Sequence, residues 1–168
     1  MDARTGRRQK KISSRQEKFT AQDVGGRMMP ASGAMPNAGA DVRKMGELRI
    51  ECKYTDKDFY SLELLILEKV KLQAIKGGLE APVLQLGFRN HLGHQELYCI
   101  IPWDPNQPRP AFRIVTTNKS TRLYKDQLNL ALVNGKKLVV AFEEKKPFQE
   151  FEILRWEEYL DRINNAAY

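Results

Sequence analysis

The stretch from Leu48 to Lys53 fits an extended strand and little else. Leu48, Ile50 and Cys52 alternate with Arg49, Glu51 and Lys53, giving the two-residue period of a strand with one apolar face and one ionic face. Upstream, Asp41 leads into Val42-Arg43-Lys44 and then Met45-Gly46, a turn dipeptide. A second, antiparallel strand can therefore fold back on the first and set the carboxylate of Asp41 beside that of Glu51.

Two carboxylates a few Å apart repel one another, and a hard divalent cation such as Mg²⁺, which prefers oxygen ligands and keeps several waters, relieves the repulsion. Lys53 shares the face of Glu51 and can reach a water or a phosphate oxygen at such an ion. A cation that polarises a phosphate and acidifies water, with an ammonium to balance developing charge, is the equipment for hydrolysing a phosphodiester. The same three residues also fit a solvated strand face held by salt bridges.

The chain has 168 residues, enough for one domain with a true core. It carries 28 lysines and arginines against 21 acids, a net charge of +7, and the excess is concentrated at the start. Residues 1–20 hold seven bases and two acids, so residues 1–12 read as a flexible basic arm ahead of a folded segment, residues 13–168. Such an arm suits a polyanion, nucleic acid best of all, or serves only as a solubilising terminus. Cys52 and Cys99 lie singly in apolar runs, which excludes a disulfide framework or thiolate cluster and points to a reducing, cytoplasmic setting. No apolar stretch approaches the roughly eighteen residues of a membrane span, and no signal-peptide core follows the basic start. A soluble protein with no membrane partner is expected.

Helices and strands alternate around the central pair. Ser14 fits the N-cap of a short helix with Glu17 as its capping-box partner, although Glu17 could instead reach toward Asp41. Residues 23–40, rich in glycine and proline, read as a loop that could meet a phosphate backbone or simply connect. Tyr54 to Asp58 reads as a turn, and Ser61 as the cap of a helix that buries Leu62, Leu65, Ile66, Val70 and Ala74 before Gly77-Gly78 ends it. Ala81 to Arg89 and Gln95 to Ile101 flank a hairpin loop containing His91 and His94; two histidines with no acid or cysteine nearby make a poor metal site. Trp103, in a proline-rich loop, is either a stacking surface or a plug. A strand over 111–116, a helix over 120–133, strands over 137–143 and 148–154 and a helix with Trp156, Leu160 and Ile163 inward complete the chain. No repeat is evident. The predicted fold is α/β, a single domain with a central mixed β-sheet flanked by helices.

Asp41 with Glu51-Cys52-Lys53 resembles the signature of the PD-(D/E)xK nuclease superfamily, with Ala40 in the place of its proline. Glu17 on a first helix, Ser32-Gly33, Gly39-Ala40-Asp41-Val42, Ile50-Glu51-Cys52-Lys53 and a leucine-rich helix followed by Pro82-Val83-Leu84 are similar, more narrowly, to the archaeal-type Holliday junction resolvases and related phage enzymes. The likeness covers about residues 14–89. It implies a restriction-endonuclease-like fold and a metal-dependent, structure-selective endonuclease of DNA recombination and repair that cuts four-way junctions. Asp41 and Glu51, with the backbone carbonyl of Cys52, would ligate Mg²⁺ or Mn²⁺, and Glu17 would complete the shell directly or through water. Lys53 would orient or help deprotonate the attacking water and stabilise charge on the phosphate; Ser32 would touch the scissile strand. The resemblance further implies a homodimer acting on branched double-stranded DNA, whose outlying phosphates Arg4, Arg7, Arg8, Lys10, Lys11 and Arg15 would follow. Another nuclease of the same fold, for flaps, mismatches or duplex sites, and a non-catalytic DNA-binding recombination accessory protein fit the same residues.

Overall fold

The apolar face of Leu48, Ile50 and Cys52 is buried in the computed structural model, which describes residues 3–29, 41–89, 92, 94–133, 136–144 and 148–166, with side chains in the first helix from Lys11 onward. The helices are α1 (Ala3–Asp23), α2 (Leu64–Lys76), α3 (Lys125–Ala131) and α4 (Trp156–Asn165). The strands are β1 (Arg27–Met28), β2 (Val42–Lys44), β3 (Leu48–Thr55), β4 (Phe59–Glu63), β5 (Ala81–Arg89), β6 (Gln95–Pro102), β7 (Phe112–Thr116), β8 (Ser120–Tyr124), β9 (Leu138–Phe142) and β10 (Gln149–Arg155). Eight of the strands form one mixed sheet, ordered β1-β2-β3-β5-β6-β10-β9-β7, while β4 and β8 pair separately. On one face of the large sheet Ile50, Val83 and Leu154 pack against Ala21 and Val24 of α1 and Trp156 and Tyr159 of α4. On the other, Leu84, Leu86, Val140 and Ile153 pack against Leu64 and Leu67 of α2, Leu128 of α3 and Leu62 and Leu123 of the small sheet. The expected α/β domain with a central mixed sheet flanked by helices is the observed architecture.

Several boundaries differ from expectation. Helix α1 begins at Ala3, so most of the segment expected to be an arm is helical and Ser14 lies inside the helix rather than capping it. Arginine, lysine and glutamine are good helix formers, and a helix anchored by its packed half extends at little further cost. Glu17 accepts a hydrogen bond from Ser13 Oγ (3.2 Å) one turn earlier, in place of the capping box. The loop expected over 23–40 contains the two-residue strand β1, paired with β2. Tyr54 belongs to β3, not to a turn. Ser61 lies in β4, and α2 starts three residues later, which moves the inward stripe to Leu64, Leu67, Val70 and Ala74 and leaves Leu65 exposed. The helix expected over 120–133 is strand β8 followed by the short α3.

The corrections at Ser61 and over 120–133 share a cause, an internal repeat that the sequence does not display. The unit β3-β4-α2-β5-β6 recurs as β7-β8-α3-β9-β10: β3 pairs in parallel with β5 as β7 does with β9, and β5 and β9 each form an antiparallel hairpin with the next strand. A local two-fold relates the halves, placing Ile100 of β6 opposite Ile153 of β10 and Ser61 of β4 opposite Arg122 of β8. The Lys57 N–H donates to Thr55 Oγ1 and the Asn118 N–H to Thr116 Oγ1, both at 3.1 Å. Neither α2 nor α3 has a side-chain cap; instead the Leu64 N–H donates to the Lys119 carbonyl (2.8 Å) and the Lys125 N–H to the Asp58 carbonyl (2.9 Å). Each half thus satisfies an orphan donor at the helix start of the other. A strand can therefore run straight into its helix with no capping residue to announce the boundary.

The β2-β3 hairpin is fastened from below. Gly46 takes a left-handed φ of 74° in the turn, a conformation glycine adopts without steric cost. Beneath it, the fully buried Glu80 carboxylate accepts from Arg43 Nε (2.6 Å) and Arg49 Nε (2.8 Å), and Arg43 also donates to the Gly77 carbonyl (2.8 Å). Burial pushes the Glu80 carboxyl up, but the hydrogen bonds from Arg43 and Arg49 more than reverse that and hold it below its ordinary range. A carboxyl depressed by folding stabilises the fold above its unfolded pKa, and that contribution is lost as pH falls through the folded value. Glu80→Gln, which strands two arginine charges, is expected to cost about 3–5 kcal/mol in urea unfolding at neutral pH. The difference from wild type should shrink below about pH 4; a penalty independent of pH would mean that shape, not charge, fastens the hairpin.

Candidate acidic centre at the end of β2

Strand β2 accompanies β3 only as far as the Val42–Ile50 pair. There the Asp41 N–H donates to the Ile50 carbonyl (3.1 Å), and the Asp41 side chain takes over where the strand stops, Oδ2 accepting the Cys52 N–H at 2.8 Å. A carboxylate in the place of the next strand residue satisfies the main chain and brings a charge to the sheet. The Cys52 thiol points away into the α1 layer, 3.6 Å from Gln85 Oε1. Burial above all, with Asp41 adding to it, pushes that thiol far above its ordinary range, so it stays protonated and only the main chain of Cys52 faces this chemistry.

On the opposite face of β3, Lys53 Nζ pairs with Glu51 Oε1 at 2.6 Å, Glu51 nearly buried and Lys53 about one-third exposed. Burial by itself would lower the Lys53 pKa, but the hydrogen bond to Glu51 and the charges of Glu51 and Asp41 outweigh it and hold the ammonium above its ordinary range. Lys53 is thus a fixed cation and hydrogen-bond donor at neutral pH. Glu17 reaches the same field from α1: burial raises its carboxyl most, and Asp41 and then Glu51 raise it further, against the lowering effects of Ser13 and Lys53. Three carboxylates and one ammonium from a helix and adjoining strands share one electrostatic neighbourhood.

Glu17 is set there by its neighbour Gln16. Gln16 and Thr20 are buried beneath α1, where Gln16 Nε2 donates to Gln85 Oε1 (2.9 Å) and Thr20 Oγ1 donates to the same oxygen (2.7 Å). Gln16 Nε2 also lies 3.3 Å from the Lys53 carbonyl. This network registers α1 on β3 and β5, and no residue pattern announces it because its partners lie far apart in the chain. Tyr60 of β4 is a second member that residue types do not single out: burial raises its phenol, while nearby Lys53 works in the other direction. An aromatic within an apolar run looks like core and carries no separate signal.

Ser32 and His91 lie outside the described residues, as do the side chains of Arg4, Arg7, Arg8 and Lys10, whose backbone belongs to α1. Lys11 and Arg15 are exposed on α1, the Arg15 guanidinium 5.3 Å from the centre of the Phe19 ring. Trp103 is half-buried with Lys137 Nζ 5.7 Å from its ring centre. Among the described residues, no three histidine, cysteine, aspartate or glutamate side chains gather closely enough to enclose a metal by themselves, and no helix is long and apolar enough to cross a membrane. No protein-family model matches the chain, and no curated protein matches it significantly.

If the buried amides place α1, removing one donor should be felt. Thr20→Val keeps the volume but withdraws the hydroxyl from Gln85, and thermal or urea unfolding should show a loss of about 1–3 kcal/mol. An unchanged stability would mean that apolar contacts alone position Glu17.

Proposed function

We propose that the chain is a Mg²⁺- or Mn²⁺-dependent, structure-selective DNA endonuclease of the PD-(D/E)xK type that cuts four-way junctions. The observation that carries this reading is the Glu51–Lys53 ion pair on the strand whose Cys52 N–H is taken by the Asp41 carboxylate. The donor set fits a hard cation. Mg²⁺ is commonly held by one or two carboxylates, with waters and substrate phosphates completing the shell, so the want of a three-ligand cage does not count against Asp41 and Glu51. Glu17 would join directly or through water, and Cys52 could contribute only its main chain.

When bound, the cation would polarise the scissile phosphate and lower the pKa of a water. The protein's own residues do the rest. Asp41 and Glu51 would hold such a cation with their carboxylates. Lys53, released from Glu51, donates to a phosphate oxygen or to the attacking water and offsets the negative charge that builds in the transition state. The basic residues in the α1 sequence supply cations for phosphates farther along the strands. A homodimer on branched DNA in a cytoplasmic setting belongs to the same reading.

Asp41→Asn, Glu51→Gln and Lys53→Ala should each lower Mg²⁺-dependent nicking of a synthetic four-way junction by at least about a hundredfold while barely changing DNA affinity. Paired, symmetric nicks in the junction, against little cutting of flap, mismatch or duplex substrates, mark the resolvase. A wild type that never cuts with either metal gives the centre to a DNA-binding accessory protein, in which these residues are salt bridges.

Replacing Arg4, Arg7, Arg8 and Lys10 together with glutamine should weaken junction binding. It should also flatten the slope of log affinity against log salt by about 0.9 for each phosphate no longer neutralised, with single-turnover cleavage at saturation unchanged.

A further inference from the structure

A depression of about 260 Å³ lies on the other flank of α1 from the acidic centre. Gln16 and Thr20 point inward from this helix, so at about 100° per residue Ser13 and Glu17 lie to one side of them and Arg15 and Phe19 to the other. Arg15 and Phe19 line the depression with Tyr54 from β3, Arg89 from the end of β5, and His94 and Gln95 from the start of β6. Among the described residues no carboxylate lines it. Tyr54 directly follows Lys53, and strand alternation turns the two side chains to opposite faces of the sheet. The depression and the acidic centre are thus separated by about the width of one helix, ~10 Å.

Two guanidiniums at the rim of one cavity select an anion. The rings add a second requirement, since Phe19 is 47% exposed beside a cation that already stacks on it; a flat π-face is the ligand that both rings and guanidiniums can cover. A phosphate joined to a base, in a cavity of this size, meets both demands. A duplex keeps its bases stacked inside and can offer only phosphates, so the base must be unpaired. We propose that this depression is a subsite for one unpaired nucleotide of a DNA strand passing over α1 from the acidic centre, the phosphate held by Arg15 and Arg89 and the base by Phe19 and Tyr54. The proposal rests on the nuclease reading and extends it to the branch point of a junction, where arms that are paired along their length open and free a base.

The test uses the full chain carrying Asp41→Asn, with fluorescence anisotropy on two probes, a short oligothymidylate and a blunt duplex of the same strand length. Adding Phe19→Ala should raise Kd for oligothymidylate about tenfold with no change in its salt slope. Arg89→Gln should raise it as well and flatten the slope by about 0.7. Both changes should leave the duplex Kd within about twofold. Both residues are exposed, and an unchanged thermal melt confirms that folding is intact. Equal weakening on the two probes, or none on oligothymidylate, overturns the subsite. The nuclease reading is judged separately by wild-type nicking of the junction: a chain that nicks but shows no selective loss keeps the enzyme without the subsite, and one that shows the selective loss without nicking keeps the subsite alone.

Discussion

A carboxylate buried between two guanidiniums holds the acidic centre in place. Glu80 sits where α2 gives way to β5, and Arg43 and Arg49 come from the two arms of the β2-β3 hairpin, so one residue ties the hairpin to the middle of the sheet. Such a cluster contributes less net stability than an apolar core of equal volume, because three charges must leave water. Its effect is on register, since a hairpin slipped by one residue would bury an arginine without its partner. The packing is close as well: a Cβ at Gly77 would fall on the Arg49 guanidinium and the Glu80 carboxylate. Register decides the chemistry here, because Asp41 meets the Cys52 N–H only where β2 ends opposite Ile50.

The local two-fold gives that hairpin its meaning. Register places Glu51 beside Leu84 and Phe112 beside Leu138, so Phe112 and Ile114 occupy in the second half the positions of Glu51 and Lys53 in the first. In the first half β3 is flanked by β2 and overlain by α1; in the second, β7 is the last strand of the sheet and follows the proline-rich loop. An apolar depression lined by Phe112, Ile114, Leu123 and Leu138 lies where the ionic face would be. One architecture therefore carries an ionic centre in one copy and a greasy surface in the other. What separates them is the added α1-β1-β2 segment and a handful of side chains.

Much of the first half is legible in the residues. The alternation at Leu48, the hairpin from Ala81 to Ile101 and the antiparallel pairing of β2 with β3 follow from spacing alone, because neighbouring strands bring together residues close in sequence. Glu17 fits two roles by its position in the chain, and only the placement of α1 by Gln16, Thr20 and Gln85 brings it into the field of Asp41. Ser61 misleads because serine before an apolar run resembles a cap, whereas the first N–H of α2 is satisfied by Lys119, far along the chain. The repeat left scattered marks: Thr55 matches Thr116, Leu62 matches Leu123, Leu67 matches Leu128, Leu84 matches Leu138, Phe88 matches Phe142 and Ile100 matches Ile153, but at changing spacings of 61, 54 and 53 residues. A two-fold maintained by main-chain pairing and side-chain volume leaves little for a reader of residue types.

The inequality of the halves bears on stoichiometry. An internal two-fold would by itself offer two centres facing two strands, but the second half has Phe112 and Ile114 where a carboxylate and an ammonium would be needed. Among the described residues, no strand there stands in the place of the one that follows Asp41. Neither Phe112 nor Ile114 carries a side-chain oxygen or nitrogen to ligate a metal ion or to protonate an oxygen. One chain therefore presents one such centre among its described residues. If the activity is the cutting of two opposed strands, the second cut needs either a second chain, related by a different two-fold from the internal one, or a second encounter with the DNA. The order of cleavage with protein concentration separates these: simultaneous nicks require the paired chains, and sequential nicks with a released singly nicked intermediate require only one.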